Sequence, residues 1–179
     1  LFDSEFLGGD KPGINLIPLL CGSEGTLAFT TSITLKLDPL PPAVGAMMVT
    51  HYHSIEDCLS DVYPLMQEGL YSCEMMDKVI LDCTKNNREQ QANRYFIEGD
   101  PAAVLMLEVR ADDQVQLEQK LVQLNARVSA SGLSYAQPVL AQSEITKAET
   151  LRKAGLGLLG NMVGDRKAVA CIEDTAVAL

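Results

Sequence analysis

Residues 102–132, with the sequence AAVLMLEVRADDQVQLEQKLVQLNARVSASG, contain the pattern that most strongly predicts the fold. The first part of this stretch is apolar except for Glu108, which is typical of a buried strand. Asp112 and Asp113 can then cap a long helix, which Gly132 is expected to end. Apolar residues recur within that helix at near-helical spacing, namely Val115, Leu117, Leu121, Leu124 and Val128. The stretch therefore predicts a strand followed by an amphipathic helix.

A similar strand and helix precede this stretch. Residues 43–53 form a strand candidate, and Ser54 is predicted to cap the helix that follows. Glu56 and Asp57 suit the positive end of that helix. Pro64 falls inside the helix and is expected to kink or split it, because proline lacks a backbone N–H and clashes with the preceding turn.

Four further elements continue the alternation. They are a helix over residues 74–84, a strand over 134–141, a helix over 145–159 and a strand over 167–172. Strands that alternate with helices predict an α+β fold in which helices pack on one face of an open sheet.

The sequence also predicts a domain boundary. A strand candidate over residues 26–37 carries alternating apolar side chains in its second half. The segment DPLPP at 38–42 then stops the strand, because three prolines in four positions cannot continue a sheet. We therefore expect one unit at residues 1–42 and a second, α+β unit at residues 43–179.

The composition limits the classes of function. The chain has 179 residues, 47% of them hydrophobic, so it can form a real core and amounts to one domain, or one domain plus part of another. Lys and Arg number 14 against 24 Asp and Glu, which gives a net charge of −10. This acidic balance argues against a nucleic-acid binder and against binding to anionic membrane surfaces. No apolar run approaches the roughly 20 residues that a membrane-spanning helix needs.

The five cysteines predict a reduced, cytoplasmic protein with ordinary buried thiols. Their number is odd, no two of them form a C-x-x-C motif, and their spacing fits no zinc template. A disulfide or a reactive thiol stays open as the alternative.

His51 and His53 lie two positions apart in a predicted strand, so their side chains face the same side. Such a pair can bind a metal ion. Packed or surface histidines are the favoured interpretation, because no third ligand is evident nearby in the sequence. We therefore assign no metal site.

Two places in the sequence are candidate binding sites. The turn GSEGTL at 22–27 places two glycines around a small polar residue and an acid, so its backbone amides can approach a polar or anionic ligand. Arg152 in a predicted helix and Lys167 at a strand start could together bind a carboxylate. A surface turn and solvated cations are the respective alternatives.

Longer motifs resemble a known family. GSEGTLAFTT at 22–31 with LDPLP at 37–41 is similar to the end of the flavin domain in FAD-linked oxidases of the vanillyl-alcohol-oxidase type. LRKAGLGLL at 151–159, GDRKAVA at 164–170 and EDTAV at 173–177 resemble the branch of D-lactate and D-2-hydroxyglutarate dehydrogenases. The resemblance implies a ferredoxin-like cap domain, with an open, mainly antiparallel sheet and helices on one face. The last strands of an FAD-binding domain would precede it.

The resemblance also implies roles for individual residues. The residues that would contact FAD are Gly22, Ser23, Glu24, Gly25, Thr26 and Leu27. Arg152 and Lys167 would hold the carboxylate of a D-2-hydroxy acid, whose α-carbon would give a hydride to the flavin. A separate electron acceptor would reoxidise the flavin. An iron–sulfur cluster in a fused half outside this chain, a homodimer and peripheral contact with the inner membrane are open alternatives.

The chain also departs from the family pattern. Ala28 stands where the family more often has glycine. The resemblance places the family's phosphate-binding Gly-rich loop upstream of residue 1 and the His-x-His motif that supplies its catalytic base downstream of residue 179. We therefore expect an interior fragment, with residues 1–42 as a remnant of the FAD-binding domain and residues 43–179 as a substrate (cap) domain incomplete at its C-terminal end.

Such a fragment is expected to contain no catalytic residue and to be inactive alone. Two alternatives are a flavoprotein oxidase of the same superfamily with another substrate and a non-catalytic α+β interaction module.

Overall fold

The computed structural model describes residues 16–161 and 164–165. The chain divides into two compact units, Leu1–Leu40 and Pro41–Leu179. All strands that the described residues form belong to the second unit, which therefore carries most of the fold.

The described part of the first unit contains one short helix, α1 (Ile17–Leu20), followed by a turn. No strand forms over residues 26–37, although the alternating sequence predicts one. A strand needs a neighbour for its backbone N–H and C=O groups, and the described part of this unit offers none. Its apolar side chains are correspondingly exposed, Phe29 to 91% and Leu37 to 82%. The expected last strands of a flavin domain are thus not formed within these residues.

The second unit is built on a four-stranded antiparallel sheet. Its strands are β1 (Val44–Tyr52), β2 (Ser72–Asp77), β3 (Ala103–Ala111) and β4 (Val139–Ala141). Their order across the sheet is β2–β3–β1–β4, and all neighbours are antiparallel. This confirms the predicted α+β fold with an open, antiparallel sheet, in which the apolar run forms the inner strand β3.

Four helices accompany the sheet. They are α2 (Ile55–Met66), α3 (Lys78–Lys85), α4 (Gln114–Ser131) and α5 (Gln142–Gly160), with a 3₁₀ turn at Gln91–Arg94. α2 connects β1 to β2, and α4 connects β3 to β4. With the observed strand order, these connections give the ferredoxin-like arrangement. The segment between β2 and β3, which contains α3, separates the two β–α–β halves of this arrangement.

Helices cover both faces of the sheet, which differs from the predicted single covered face. α2 and α4 bury one face, together with Met48 and Leu107. α3 and α5 bury the opposite face, together with Met47 and Met106. The second layer forms because α3 and α5 have apolar side chains of their own that need an apolar surface. β1 is consequently buried at successive positions rather than at alternate ones.

The predicted helix caps are present. The Ser54 hydroxyl accepts a hydrogen bond from the Asp57 amide at 3.0 Å, and the Asp113 carboxylate caps α4 in the same way. Gly132 ends α4 with a φ of 65°, in the left-handed region. Pro64 does not split α2, because it lies in the last turn and only Leu65 and Met66 of the helix follow it.

Two of the predicted elements are wrong in extent. Residues 74–84 form the end of β2 and then α3, because Glu74 and its neighbours pair with β3 before Asp77 caps the helix. Tertiary pairing here overrides the local helical pattern. The strand predicted over 134–141 is confined to β4, and Pro138 within that range cannot donate to a sheet.

α5 begins at Gln142, three residues earlier than predicted, because the Glu144 side chain accepts a hydrogen bond from the Ala141 amide at 2.9 Å. The strand predicted over 167–172 lies outside the described residues.

Candidate functional site

The turn at residues 22–27 has an unusual backbone. Gly22, Glu24 and Gly25 all have positive φ, at 79°, 49° and 78°. The Thr26 amide and hydroxyl both donate to the Ser23 carbonyl, at 2.9 and 2.7 Å, and so close the turn. The glycines are needed here because an ordinary side chain is strained in the left-handed region.

The same turn offers an accessible backbone. An added Cβ at Gly22 or Gly25 would meet no atom of the described residues within 4 Å. Among the described residues, no group accepts a hydrogen bond from the amides of Glu24 and Gly25. Open amides beside small residues can approach the polar edge of a flat ligand closely. The backbone of this turn is therefore accessible, and Leu27 is an exposed apolar neighbour. Contact between the turn and a flavin stays a prediction.

Arg152 forms an ion pair in the second unit. It lies on α5, and its Nη2 is 2.5 Å from Oε2 of Glu74 on β2. The two side chains are 40% and 41% exposed. Among the described residues, Glu74 is the one ion-pair partner of Arg152. Part of the Arg152 side chain is thus accessible to solvent beside this ion pair.

The backbone that carries Arg152 is firmly packed. Leu151, the residue before it, is fully buried in the core beneath α5. At Gly155 the helix comes so close to α3 that an added Cβ would lie 3.0 Å from Cγ2 of Ile80. Glu74 is fixed by the register of β2, in which it lies opposite Met106. Both members of the ion pair therefore project from rigid elements.

A second arginine–glutamate pair lies on the same face of the sheet. Arg110 donates from Nε to Oε1 of Glu108 at 2.6 Å, and the Ser72 hydroxyl donates to the other oxygen at 3.2 Å. The Arg110 guanidinium also lies 4.1 Å from the centre of the Tyr71 ring. Glu108 is only 3% exposed, and Arg110 25%. The Glu108 carboxylate is therefore enclosed by its own neighbours, and Arg110 is the more accessible member of the pair.

The other predicted carboxylate-binding residue, Lys167, lies outside the described residues. The pairing of Arg152 with Lys167 therefore stays a prediction. Glu74 was missed at the sequence level, because residues 74–84 were predicted to form a helix. No motif marks Glu74. Its place beside Arg152 depends on the register of β2.

His51 is buried within the core, whereas His53 is exposed. Nδ1 of His51 lies 3.0 Å from the Val49 carbonyl, and Nε2 accepts a hydrogen bond from the Glu98 amide at 3.2 Å. Burial lowers the pKa of His51 below its usual 6.5, so the ring is neutral with the proton on Nδ1. The His53 ring stacks on Tyr135 with centroids 4.3 Å apart. Within the described parts of the chain, no group of side chains suited to a metal ion occurs.

The described cysteines are free thiols, namely Cys21, Cys58, Cys73 and Cys83. Burial raises the pKa of Cys58 to about 12 and that of Cys73 to about 11, so both stay protonated near neutral pH. These two are the ordinary buried thiols that the sequence predicts. Cys171 lies outside the described residues.

None of the helices that the described residues form has the length and apolar character of a membrane-spanning segment.

Comparison with known proteins identifies the family. The profile of the family "FAD linked oxidases, C-terminal domain" matches residues 41–179. The chain is 28% identical over 178 residues to D-2-hydroxyglutarate dehydrogenase of Pantoea ananatis, covering 94% of this chain and 17% of that protein. It is 28% identical to the Pseudomonas putida protein of the same name, covering 98% of this chain and 18% of that protein.

A further relative is D-lactate dehydrogenase of Anaerostipes hadrus, 30% identical over 123 residues, which are 67% of this chain and 26% of that protein. The chain thus spans less than a fifth of the length of the D-2-hydroxyglutarate dehydrogenases it matches. The resemblance seen in its motifs is confirmed. The chain belongs to the FAD-linked oxidases, and residues 41–179 correspond to their C-terminal domain.

Proposed function

We propose that the full-length protein is an FAD-dependent dehydrogenase that oxidises a D-2-hydroxy acid of the D-lactate or D-2-hydroxyglutarate type. Membership of the FAD-linked oxidases supports the cofactor. The names of the relatives support the substrate class, since D-lactate and D-2-hydroxyglutarate are both 2-hydroxy acids. These acids share one carboxylate beside the hydroxyl-bearing carbon, so the enzyme needs a cation that holds this carboxylate.

The open guanidinium of Arg152 is the observation that carries this proposal. A guanidinium binds a carboxylate through two parallel hydrogen bonds and so fixes its orientation. Arg152 has such a group, about two-fifths exposed, on a helix that is anchored in the core. Holding the substrate by its carboxylate keeps the α-carbon in one place, and orientation of this kind lowers the barrier to reaction. Lys167 is proposed as the second cation for the same carboxylate.

The turn at residues 22–27 is proposed to contact FAD through its backbone. Its free amides and its two open glycines support this assignment. When bound, FAD supplies the chemistry of hydride acceptance from the α-carbon. The role of this chain is then to bind and orient, with Gly22, Ser23, Glu24, Gly25, Thr26 and Leu27 beside the cofactor.

Further properties of the full-length protein belong to the same proposal. An electron acceptor takes the electrons from the reduced flavin. The free thiols of the described cysteines, of which Cys58 is buried, support a reducing, cytoplasmic compartment. We also infer that these 179 residues are inactive alone, since they span less than a fifth of the related dehydrogenases.

The experiment is an anaerobic titration of the purified full-length protein. Its visible spectrum is recorded, and D-lactate, D-2-hydroxyglutarate and their L-enantiomers are added in turn. Bleaching of the flavin absorbance by one D-acid, and not by its L-enantiomer, is the expected result. A flavin that stays oxidised with all four acids contradicts the substrate class, and a protein that binds no FAD contradicts the proposal as a whole.

A further inference from the structure

We propose that Glu74 is a positioning residue, which holds the Arg152 guanidinium ready for the substrate carboxylate. This inference rests on the proposed function of Arg152. It adds a residue on a different element, β2, to the binding site on α5.

The contact between the two side chains leaves most of the guanidinium available. It joins Nη2 of Arg152 to Oε2 of Glu74 at 2.5 Å. A guanidinium has five N–H donors on three nitrogens. Among the described residues, none other than Glu74 pairs with Arg152, so donors on the remaining nitrogens are open to a second carboxylate.

Glu74 itself lies on a regular strand, which fixes its backbone. Glu74 lies within the β2–β3 ladder, opposite Met106. Among the described residues, Arg152 is also its one ion-pair partner. A long arginine side chain in solvent samples many rotamers. A contact to a rigid strand restricts those rotamers before the ligand arrives, which lowers the entropy lost on binding.

Glu74 also has an effect that lowers the affinity for the substrate. Its negative charge weakens the attraction between Arg152 and an anionic substrate. Both side chains are about two-fifths exposed, so solvent and salt screen this repulsion. We therefore expect the positioning effect to dominate, and the two effects predict opposite changes in affinity.

The test is a binding experiment with the full-length flavoprotein. Pyruvate and 2-oxoglutarate, the oxidation products of the two acids, serve as probes because they bind without reducing the flavin. Their Kd is measured from the change in flavin absorbance for wild type, Glu74→Gln, Arg152→Gln and the double variant. Glu149→Gln is the matched control. It removes the same charge one turn away on α5, where Glu149 pairs with Lys153 at 3.7 Å rather than with Arg152.

Glu74→Gln is expected to raise the Kd about threefold to tenfold, the effect of releasing one rotamer-rich side chain. Glu149→Gln is expected to leave the Kd unchanged or to lower it slightly. In the Arg152→Gln background, Glu74→Gln is expected to have no further effect, because a positioning residue acts only through the group that it positions. A purely structural role for Glu74 would instead weaken binding in both backgrounds.

Two failures can be told apart. If Arg152→Gln leaves the Kd unchanged, the proposed function of Arg152 is wrong. If Arg152→Gln weakens binding while Glu74→Gln leaves the Kd unchanged or lowers it, Arg152 keeps its function and the positioning role of Glu74 is wrong. If Glu74→Gln does not fold, Glu74→Asp gives the same test. It keeps the charge but withdraws the carboxylate, so a raised Kd supports positioning and a wild-type Kd overturns it.

Discussion

The two arginine–glutamate pairs on the α5 face of the sheet differ in how completely each is enclosed. The pair of Arg110 and Glu108 is surrounded by a hydroxyl and an aromatic ring, and its carboxylate is almost fully buried. The pair of Arg152 and Glu74 is half-exposed and has one close contact. The same two residue types thus form an enclosed pair in one place and a half-exposed pair in another, and we propose that only the half-exposed arginine binds a ligand.

Breaking the enclosed pair should produce the largest loss of stability. Arg110→Gln leaves the buried Glu108 carboxylate without its cation, which should lower the free energy of unfolding by about 3 kcal/mol. Urea unfolding of the 179-residue chain, followed by circular dichroism, measures the change. Arg152→Gln is the control in the same assay and should cost less than about 1 kcal/mol, because its pair is exposed. Equal losses for the two variants would remove the distinction between the pairs.

Breaking the open pair should instead impair substrate use. Arg152→Gln in the full-length protein removes a charged donor to the carboxylate and should lower kcat/KM about 10- to 100-fold. Most of the loss should appear in KM. Arg110→Gln, measured at a temperature where it stays folded, should change kcat/KM by less than about twofold. A larger effect for Arg110→Gln would place the substrate at the enclosed pair.

The packing of α5 against α3 can be tested separately, and it matters for the ion pair because α5 carries Arg152. Gly155→Ala places a Cβ 3.0 Å from Cγ2 of Ile80 and should lower the free energy of unfolding by about 1–2 kcal/mol. Gly157→Ala lies on the same helix, where an added Cβ would meet no atom of the described residues within 4 Å. It is the matched control and should stabilise the chain by up to about 1 kcal/mol. Ile80→Ala, which removes the contacting atoms, should cancel the steric part of the Gly155→Ala effect. The same sign for both glycine variants would contradict the packing described here.

The pH dependence of stability that comes from His51 is the smallest expected effect. Its ring is buried, as the Glu108 carboxylate is. Burial lowers its pKa in the folded chain below the 6.5 of the unfolded chain. Its contribution to stability is therefore complete above pH 6.5 and is lost as the pH falls from 6.5 to the folded pKa, with a slope of at most about 1.4 kcal/mol per pH unit.

Urea unfolding between pH 5 and pH 8 measures this slope. His51→Gln should flatten it. An unchanged slope in His51→Gln would show that another group is responsible.

The sequence predicts the parts of this structure that depend on local chemistry. The apolar run of β3, the caps Ser54 and Asp113 and the ending at Gly132 are all confirmed, because each depends on neighbours within a few residues. The motifs at the two ends of the chain also suffice to recognise the family.

The parts that could not be predicted depend on distant partners. Glu74 belongs to a strand only because β3 lies beside it, and its contact with Arg152 joins residues far apart in the sequence. The second helical layer likewise follows from how α3 and α5 pack on the sheet and on each other. Local periodicity does not report such long-range pairing.

We propose that the half-exposed Arg152, and not Arg110, binds the substrate carboxylate. The most direct measurement is the anaerobic rate of flavin reduction in the full-length protein as a function of D-acid concentration, for wild type, Arg152→Gln and Arg110→Gln. We expect the half-saturating concentration of the D-acid to rise at least about tenfold in Arg152→Gln and to stay near the wild-type value in Arg110→Gln. A wild-type value in Arg152→Gln would contradict the proposal.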